Sequence, residues 1–324
     1  MSEPTPEVDP DAETEAGTAP VVDGAGWSTR LFERYSSVRR RIAVVAGVAF
    51  WGYFLLRWLN DWVLAPSVGV PRGQPIVAPA TFGGSDAWLN VAAGLLPTVA
   101  PGVWLTVWLT VVSIALGFVV AVPLSVVRVY GGYSRYVALG FTELIRGTPL
   151  LAQLFVLYYG LGLTSWIREL PLVGQGIVPE QAVWVAIIGF TINSAAYQSE
   201  YIRSALVSVG TGQLTAARAI GLSKVGGIRY VVLPQALRYA IPGWSNELVY
   251  LIKYSSLATF VTVPELFNRA ESVASSNFKF TAVFTAVAVI YLGIVLTASK
   301  LVTRVEDRVA IPGVGGRGGR ERTS

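Results

Sequence analysis

Six apolar runs of roughly twenty residues each fix what this chain can become, because about twenty apolar residues are what a helix needs to cross some 30 Å of hydrocarbon. They cover about Ile42–Trp62, Val103–Val127, Val137–Leu163, Ala182–Arg203, Pro242–Val263 and Phe280–Val302. Arg57, Asn60 and Asp61 interrupt the end of the first run, which still reads as a span because Arg57 can snorkel and Trp51, Trp58 and Trp62 suit an interfacial belt. Composition agrees: 53% of the 324 residues are hydrophobic and only 14% charged, with a mean hydropathy of +0.54. These values exclude an ordinary soluble domain and predict an all-α, multi-span transmembrane bundle in the cell membrane, in contact with lipid.

Charge sorts the runs by side. The formal net charge is +5, yet the first 26 residues carry Glu3, Glu7, Asp9, Asp11, Glu13, Glu15 and Asp23 and no Lys or Arg. This stretch has no basic start and no early apolar run, so it is not a signal peptide, and residues 1–29 read as a disordered acidic tail. Residues 309–324, rich in Gly and Arg, read as a second tail. Lys and Arg collect before the first run (Arg30, Arg34, Arg39, Arg40, Arg41), after the second (Arg128, Arg135), after the fourth (Arg203, Arg218, Lys224, Arg229, Arg238) and after the sixth (Lys300, Arg304, Arg308). The alternate flanks hold only Arg57, Arg72, Arg168, Arg269 and Lys279. By the positive-inside rule both termini are expected in the cytoplasm, with Pro66–Gly102 and Thr164–Gln181 outside.

Several functions drop out. The basic residues fall between apolar runs rather than beside stacking aromatics, which argues against nucleic acid as a partner. With no Cys and no His, disulfides and the usual zinc, copper and iron–sulfur ligand sets are missing, and no metal or cofactor is expected. No GxxxxGK[ST] loop is present, so any ATP hydrolysis belongs to another polypeptide. No nucleophile constellation suggests an enzyme.

Residues 204–241 form a large predicted cytoplasmic insertion. Ala216, Ala217, Ala219, Ile220 and Leu222 give its first part an apolar helical face, Gly221 ends or kinks that helix, and Thr215 offers a hydroxyl for an N-cap. A second amphipathic stretch runs from Val225 to Leu233, with Gly226 and Gly227 expected to leave the backbone bare, and Pro234 is placed to start the next helix. The loop is more apolar than a solvated connector requires, so it is expected to be buried against a partner.

Ala216-Ala217, Gly221 and Leu233-Pro234 resemble the EAA loop of ABC importer permeases, whose coupling helix docks on the ATPase. This chain has Thr215 where the family usually has Glu. Glu143-Leu144-Ile145-Arg146-Gly147-Thr148-Pro149-Leu150-Leu151 is similar to the ELxRGTPLL segment of polar amino-acid permeases, and Asn193-Ser194-Ala195-Ala196-Tyr197, Asn246-Glu247 and Val263-Pro264-Glu265-Leu266 continue the match. Lys253 lacks the acidic neighbour that the family usually places after it. The resemblance covers about 103–308 and implies a type I ABC importer permease: a five-helix core plus one extra N-terminal span and linker over 30–102. It also implies ATPase subunits, an extracytoplasmic solute-binding protein and a second permease subunit, identical or not, with a polar amino acid as cargo. A stand-alone channel or secondary transporter is the competing expectation.

Charges inside spans cost roughly 2.5–3.5 kcal/mol each on insertion scales, so each needs a partner or water. Glu143 and Arg146, three residues apart, are expected to pair, and Glu200 and Arg203 read as a structural interfacial pair. Asn193, Asn246, Glu247 and Lys253 are the candidates for a translocation path, since amides and charges can hold an ammonium and a carboxylate.

Overall fold

A computed structural model describes residues 25–64, 68–76, 88–175 and 178–309, leaving most of the acidic tail and the Gly/Arg tail outside the described residues. The described residues divide between Ala49 and Phe50 into two units. The described part of the first is helical throughout, belonging to α1 (Ala25–Trp62), which begins inside the stretch expected as tail. All contacts below lie in the second unit.

The described secondary structure is entirely helical: α2 (Trp88–Tyr130), α3 (Ser134–Arg146), α4 (Leu150–Phe155) continuing as a π-turn, α5 (Leu163–Arg168), α6 (Gln181–Ser208), α7 (Thr211–Ala219), α8 (Lys224–Gly227), α9 (Leu233–Tyr254), α10 (Leu266–Asn277) and α11 (Phe280–Val309). Among the described residues, three segments are long and apolar enough to cross a membrane: Arg41–Trp62, Asn90–Tyr130 and Phe280–Val309. They contain the whole of the first, second and sixth expected runs. Helices α6 and α9 have 28 and 22 residues but carry more polar side chains, of which Asn193, Ser194, Gln198 and Ser199 of α6 and Glu247 of α9 are buried.

Two expectations fail. The second run was expected to begin at Val103, whereas α2 begins at Trp88 and passes through Pro97 and Pro101. Leu95, Val99 and Ala100 are buried in a core with Phe54, Leu266 and Val287, and that burial outweighs the weak local helix signal. The third run, expected as one helix over Val137–Leu163, is broken. Pro149 has no N–H to donate and disfavours helix at the residue before it, so α3 stops at Arg146 and α4 restarts from an extended Pro149. The freed carbonyls are taken over by a side chain: Gln153 Nε2 donates to Ile145 O at 2.7 Å, Thr148 O at 3.0 Å and Thr148 Oγ1 at 2.9 Å.

The interior divides into three apolar clusters. The first joins the end of α1 to α2, α10 and α11, and the second joins α2, α4, α6 and the 3₁₀ turn Ser255–Val261 that follows α9. The third joins α2, the end of α6 and the start of α9, with Leu214 of α7 packed against it. Glu265 stitches the first of these together. It caps α10 by accepting from Phe267 N and Asn268 N, both at 2.8 Å, and also accepts from Tyr291 of α11 at 2.9 Å and Thr106 of α2 at 3.3 Å.

Candidate functional site: the connection between α6 and α9 and the charged cluster beside it

Chain entering from α6 forms α7 at once, and Ala217 is its buried residue. At the far end Ile220 N donates to Ala216 O, Gly221 N to Arg218 O and Leu222 N to Ala217 O, at 3.1–3.2 Å. The last two bonds form a Schellman motif, whose residue after the cap must be left-handed; Gly221 takes that place with φ +94°. The glycine therefore sets the direction in which the chain leaves α7. A side chain there would meet nothing within 4 Å in this chain, so backbone geometry rather than crowding requires it.

Ser223 then caps α8, accepting from Gly226 N at 3.1 Å. Gly227 is buried, and a Cβ on it would come 2.8 Å from Leu214 Cδ1 and 3.3 Å from the Ala217 Cβ. It was expected to leave backbone bare; instead it lets α7 and α8 touch. Thr215, expected as a cap, lies within α7, and its hydroxyl donates weakly back to Thr211 O at 3.4 Å, while Gly210 occupies the cap position. Pro234, expected to start a new helix, sits in the first turn of α9 directly after a π-turn over Ile228–Val232, so the chain coils without a break from Lys224. Gln235 Nε2 donates to Val231 O at 2.7 Å across this join.

With α7 and α8 locked to each other, their other faces are left open. Thr215, Ala216, Arg218 and Ala219 are exposed, and Ile220, Val225 and Tyr230 are 81%, 73% and 67% exposed. Leu233 is half-buried in the third cluster and Pro234 is exposed. The connection is thus a small rigid unit with an apolar outer surface and basic residues, Arg218, Lys224 and Arg229, along it.

Near its root lies a charged cluster larger than the expected Glu143–Arg146 pair. That pair exists at 3.4 Å, but Arg146 also lies 3.6 Å from Glu200. Glu200 is the hub: Arg128 of α2 reaches it at 2.6 Å and Arg203 reaches it at 2.5 and 2.9 Å. Arg128 also approaches Glu143 at 3.9 Å. Three guanidinium groups and two carboxylates therefore join the ends of α2, α3 and α6. The sequence shows the two i,i+3 pairs; that they merge through Arg128 depends on helix packing and had no sequence signal beyond the basic end of α2.

The four path candidates do not converge. Asn193 is buried and its Nδ2 donates to Gln153 Oε1 at 3.1 Å, tying α6 to the break before α4. Glu247 is buried on α9, in the neighbourhood of Ser194 on α6. Asn246 and Lys253 are exposed on another face of α9 with Tyr250 between them, and Lys253 Nζ lies 4.6 Å from the centre of the Tyr250 ring. This cation–π contact takes the place of the acidic neighbour absent after Lys253.

Residues 113–311 match the family of binding-protein-dependent transport system inner membrane components, and the chain belongs to that family. It is the non-catalytic permease subunit of such a system, a multi-pass protein of the cell membrane, and membership implies ATPase and solute-binding protein partners. It is 35% identical over 221 residues to a nopaline transport system permease protein of Agrobacterium fabrum, covering 65% of this chain and 87% of that one. It is also 35% identical to a glutamine transport system permease protein of Escherichia coli, covering 67% of this chain and 94% of the relative. A crystal structure of an amino acid ABC transporter with histidines superposes with a TM-score of 0.55 at 29% identity, over 65% of this chain and 94% of that one.

Proposed function

We propose that this permease moves a polar amino acid, with both termini in the cytoplasm and the α7–α8 unit as the surface on which the ATPase subunit acts. The observation that carries the reading is the combination in 211–232 of internal rigidity, from the Gly221 turn and the Gly227 contact, with exposed Ile220, Val225 and Tyr230. A flexible loop would dissipate a push from a partner; this unit passes it directly into α9, whose first turn is continuous with it. Amino-acid cargo is supported by relatives named for nopaline and glutamine and by the amino acid ABC transporter of similar fold.

In this reading the spans are α1, α2, the broken α3–α4 pair, α6, α9 and α11, the first being additional to a five-helix core, and a second permease subunit completes the path. Asn246 and Lys253, on the open face of α9, are the groups available to solute, whereas Asn193 holds α6 to α4 through Gln153 and Glu247 is buried.

Gly221→Asp tests the coupling surface. Asp tolerates left-handed backbone better than most residues, at a cost of about 1 kcal/mol, and it places an anion on the apolar outer surface. With the ATPase and solute-binding protein reconstituted in liposomes, the variant inserts normally and ATP hydrolysis continues, but uptake falls by about tenfold or more. Normal coupled uptake would sink the docking assignment. Solute flux through liposomes holding this chain alone, indifferent to ATP, would instead revive the channel reading.

A further inference from the structure

The turn that follows α9 repeats the form of the turn that follows α7, but not its glycine. After α7 the left-handed residue is Gly221. After α9, where Thr262 N donates to Thr259 O at 3.0 Å and Val263 N to Ala258 O at 3.1 Å, the left-handed residue is Thr262, with φ +62°. Among the described residues with positive φ, Thr262 alone is β-branched, and left-handed backbone is strained for such a side chain. A neighbouring helix holds it there: the Tyr158 hydroxyl lies 3.0 Å from Thr262 Oγ1, hydrogen-bonded to it. Tyr158 stands on the π-turn Val156–Gly160, a form of backbone that recurs at functional sites.

The strained turn sits between a helix that the α7–α8 unit can drive and one that is anchored. Helix α10, just beyond it, is anchored through its cap, since Glu265 accepts from Thr106 of α2 and from Tyr291 of α11. Helix α9, just before it, is continuous at its other end with the α7–α8 unit. A displacement entering α9 from that unit reaches the far end while α10 is held, so the backbone at Thr262 takes up the difference, as residues at the ends of elements do in hinges. An ordinary negative φ there relieves the strain. We propose that Thr262 is the pivot on which α9 turns against α10 during transport, and that the Tyr158 hydroxyl is the latch that holds the pivot in its strained form. The proposal rests on the α7–α8 unit being the surface that the ATPase drives. It gives the strain a use: the free energy released at Thr262 offsets the loss of the latch, so the two conformations lie close together and a modest bias moves the population between them.

The chain has no cysteine, so a pair introduced by Tyr159→Cys with Phe260→Cys reports on this place alone. Both side chains are exposed and flank the latch without forming it, the Tyr159 hydroxyl lying 3.5 Å from Phe260 O. The full chain, in nanodiscs with its ATPase, is treated with a short bismaleimide, first free of nucleotide and then trapped with ATP and vanadate. Intramolecular cross-linking is expected to differ at least about fivefold between the two states. Tyr158→Phe and Thr262→Val each remove one partner of the latch bond and lower the yield; Thr262→Asn, which eases left-handed backbone and keeps a polar side chain for Tyr158, raises it. A yield indifferent to nucleotide, or Thr262→Asn shifting it in the same direction as the other two, overturns the proposal. Thermal unfolding establishes that each variant is folded; if Tyr158→Phe is not, the opposite signs of Thr262→Val and Thr262→Asn decide the question. Gly221→Asp keeps this test apart from that of the docking surface. Normal uptake in Gly221→Asp, with cross-linking that still follows nucleotide, sinks the docking assignment and upholds the pivot, whereas lost uptake in that variant, with cross-linking in the parent pair that never follows nucleotide, does the reverse.

Discussion

Arg57 and Arg128 are both arginines buried toward the end of a long apolar helix, yet one is held by its own stretch of chain and the other by distant helices. Arg57 is fully buried and donates to Asp61 Oδ2 at 3.0 Å, one turn on, and to Gln74 O at 2.7 Å and Pro71 O at 3.4 Å in the loop that folds back over it. Asn60 locks the same loop through its amide, donating to Val70 O at 2.8 Å and accepting from Val70 N at 2.9 Å. Arg128, with a side chain 7% exposed, instead meets Glu200, 72 residues away, and Glu143 on α3. The first arrangement satisfies charge with a carboxylate one turn on and with loop carbonyls, and organises one loop. The second satisfies charge with carboxylates on other helices and ties together three of them, so its failure should spread further.

The largest expected effect follows from removing the hub. Glu200→Leu leaves Arg128 and Arg203 without their short contacts, and stranding a buried charge costs about 3–5 kcal/mol. Because the Glu200 side chain is 20% exposed, water offsets part of that, and about 3 kcal/mol is expected for unfolding in mixed micelles. Hydrogen exchange should rise together in the ends of α2, α3 and α6. A loss confined to α6 would break the picture of a shared cluster.

Arg57→Met keeps much of the volume but removes bonds from a charged donor, a loss of about 2 kcal/mol because Asp61 keeps the Asn60 amide as a donor at 2.9 Å. Exchange and proteolysis should increase across 68–76 and leave the ends of α2 and α6 unchanged. If both regions loosen together, the contrast between a local latch and a shared tie is wrong.

The same contrast explains what could be read from the sequence. Three of the expected spans were legible because each is apolar over most of its length, and the α7 turn was legible because a glycine follows a short apolar face. The broken helix at Gly147–Pro149 was obscured because its residues lie in one long apolar run, although Pro149 carried the signal. Arg57, Asn60 and Asp61 looked like interruptions of a span, since nothing in the spacing reveals that the loop returns to supply carbonyls. Glu143–Arg146 was legible as a pair, being three residues apart on one face, while its link to Glu200 depends on how α3 lies against α6. Thr215 was misread because the helix starts at Thr211, four residues before it.

The smallest expected effect is also the one that separates a pair from a cluster. Glu143 is 58% exposed and its contact with Arg146 is 3.4 Å, so the pair by itself contributes only about 0–1 kcal/mol. For an isolated pair, exchanging the charges in Glu143→Arg with Arg146→Glu would restore what either single change loses. Here position 146 also lies near Glu200 and position 143 near Arg128, so the exchange sets like charges together at both places. The double variant should therefore be no more stable than Arg146→Glu alone, in contrast to Glu143→Gln, which should lose less than about 1 kcal/mol. Full recovery in the double variant, measured by unfolding in mixed micelles, would show that the two residues act as a pair and that the contacts to Glu200 and Arg128 contribute nothing at these positions.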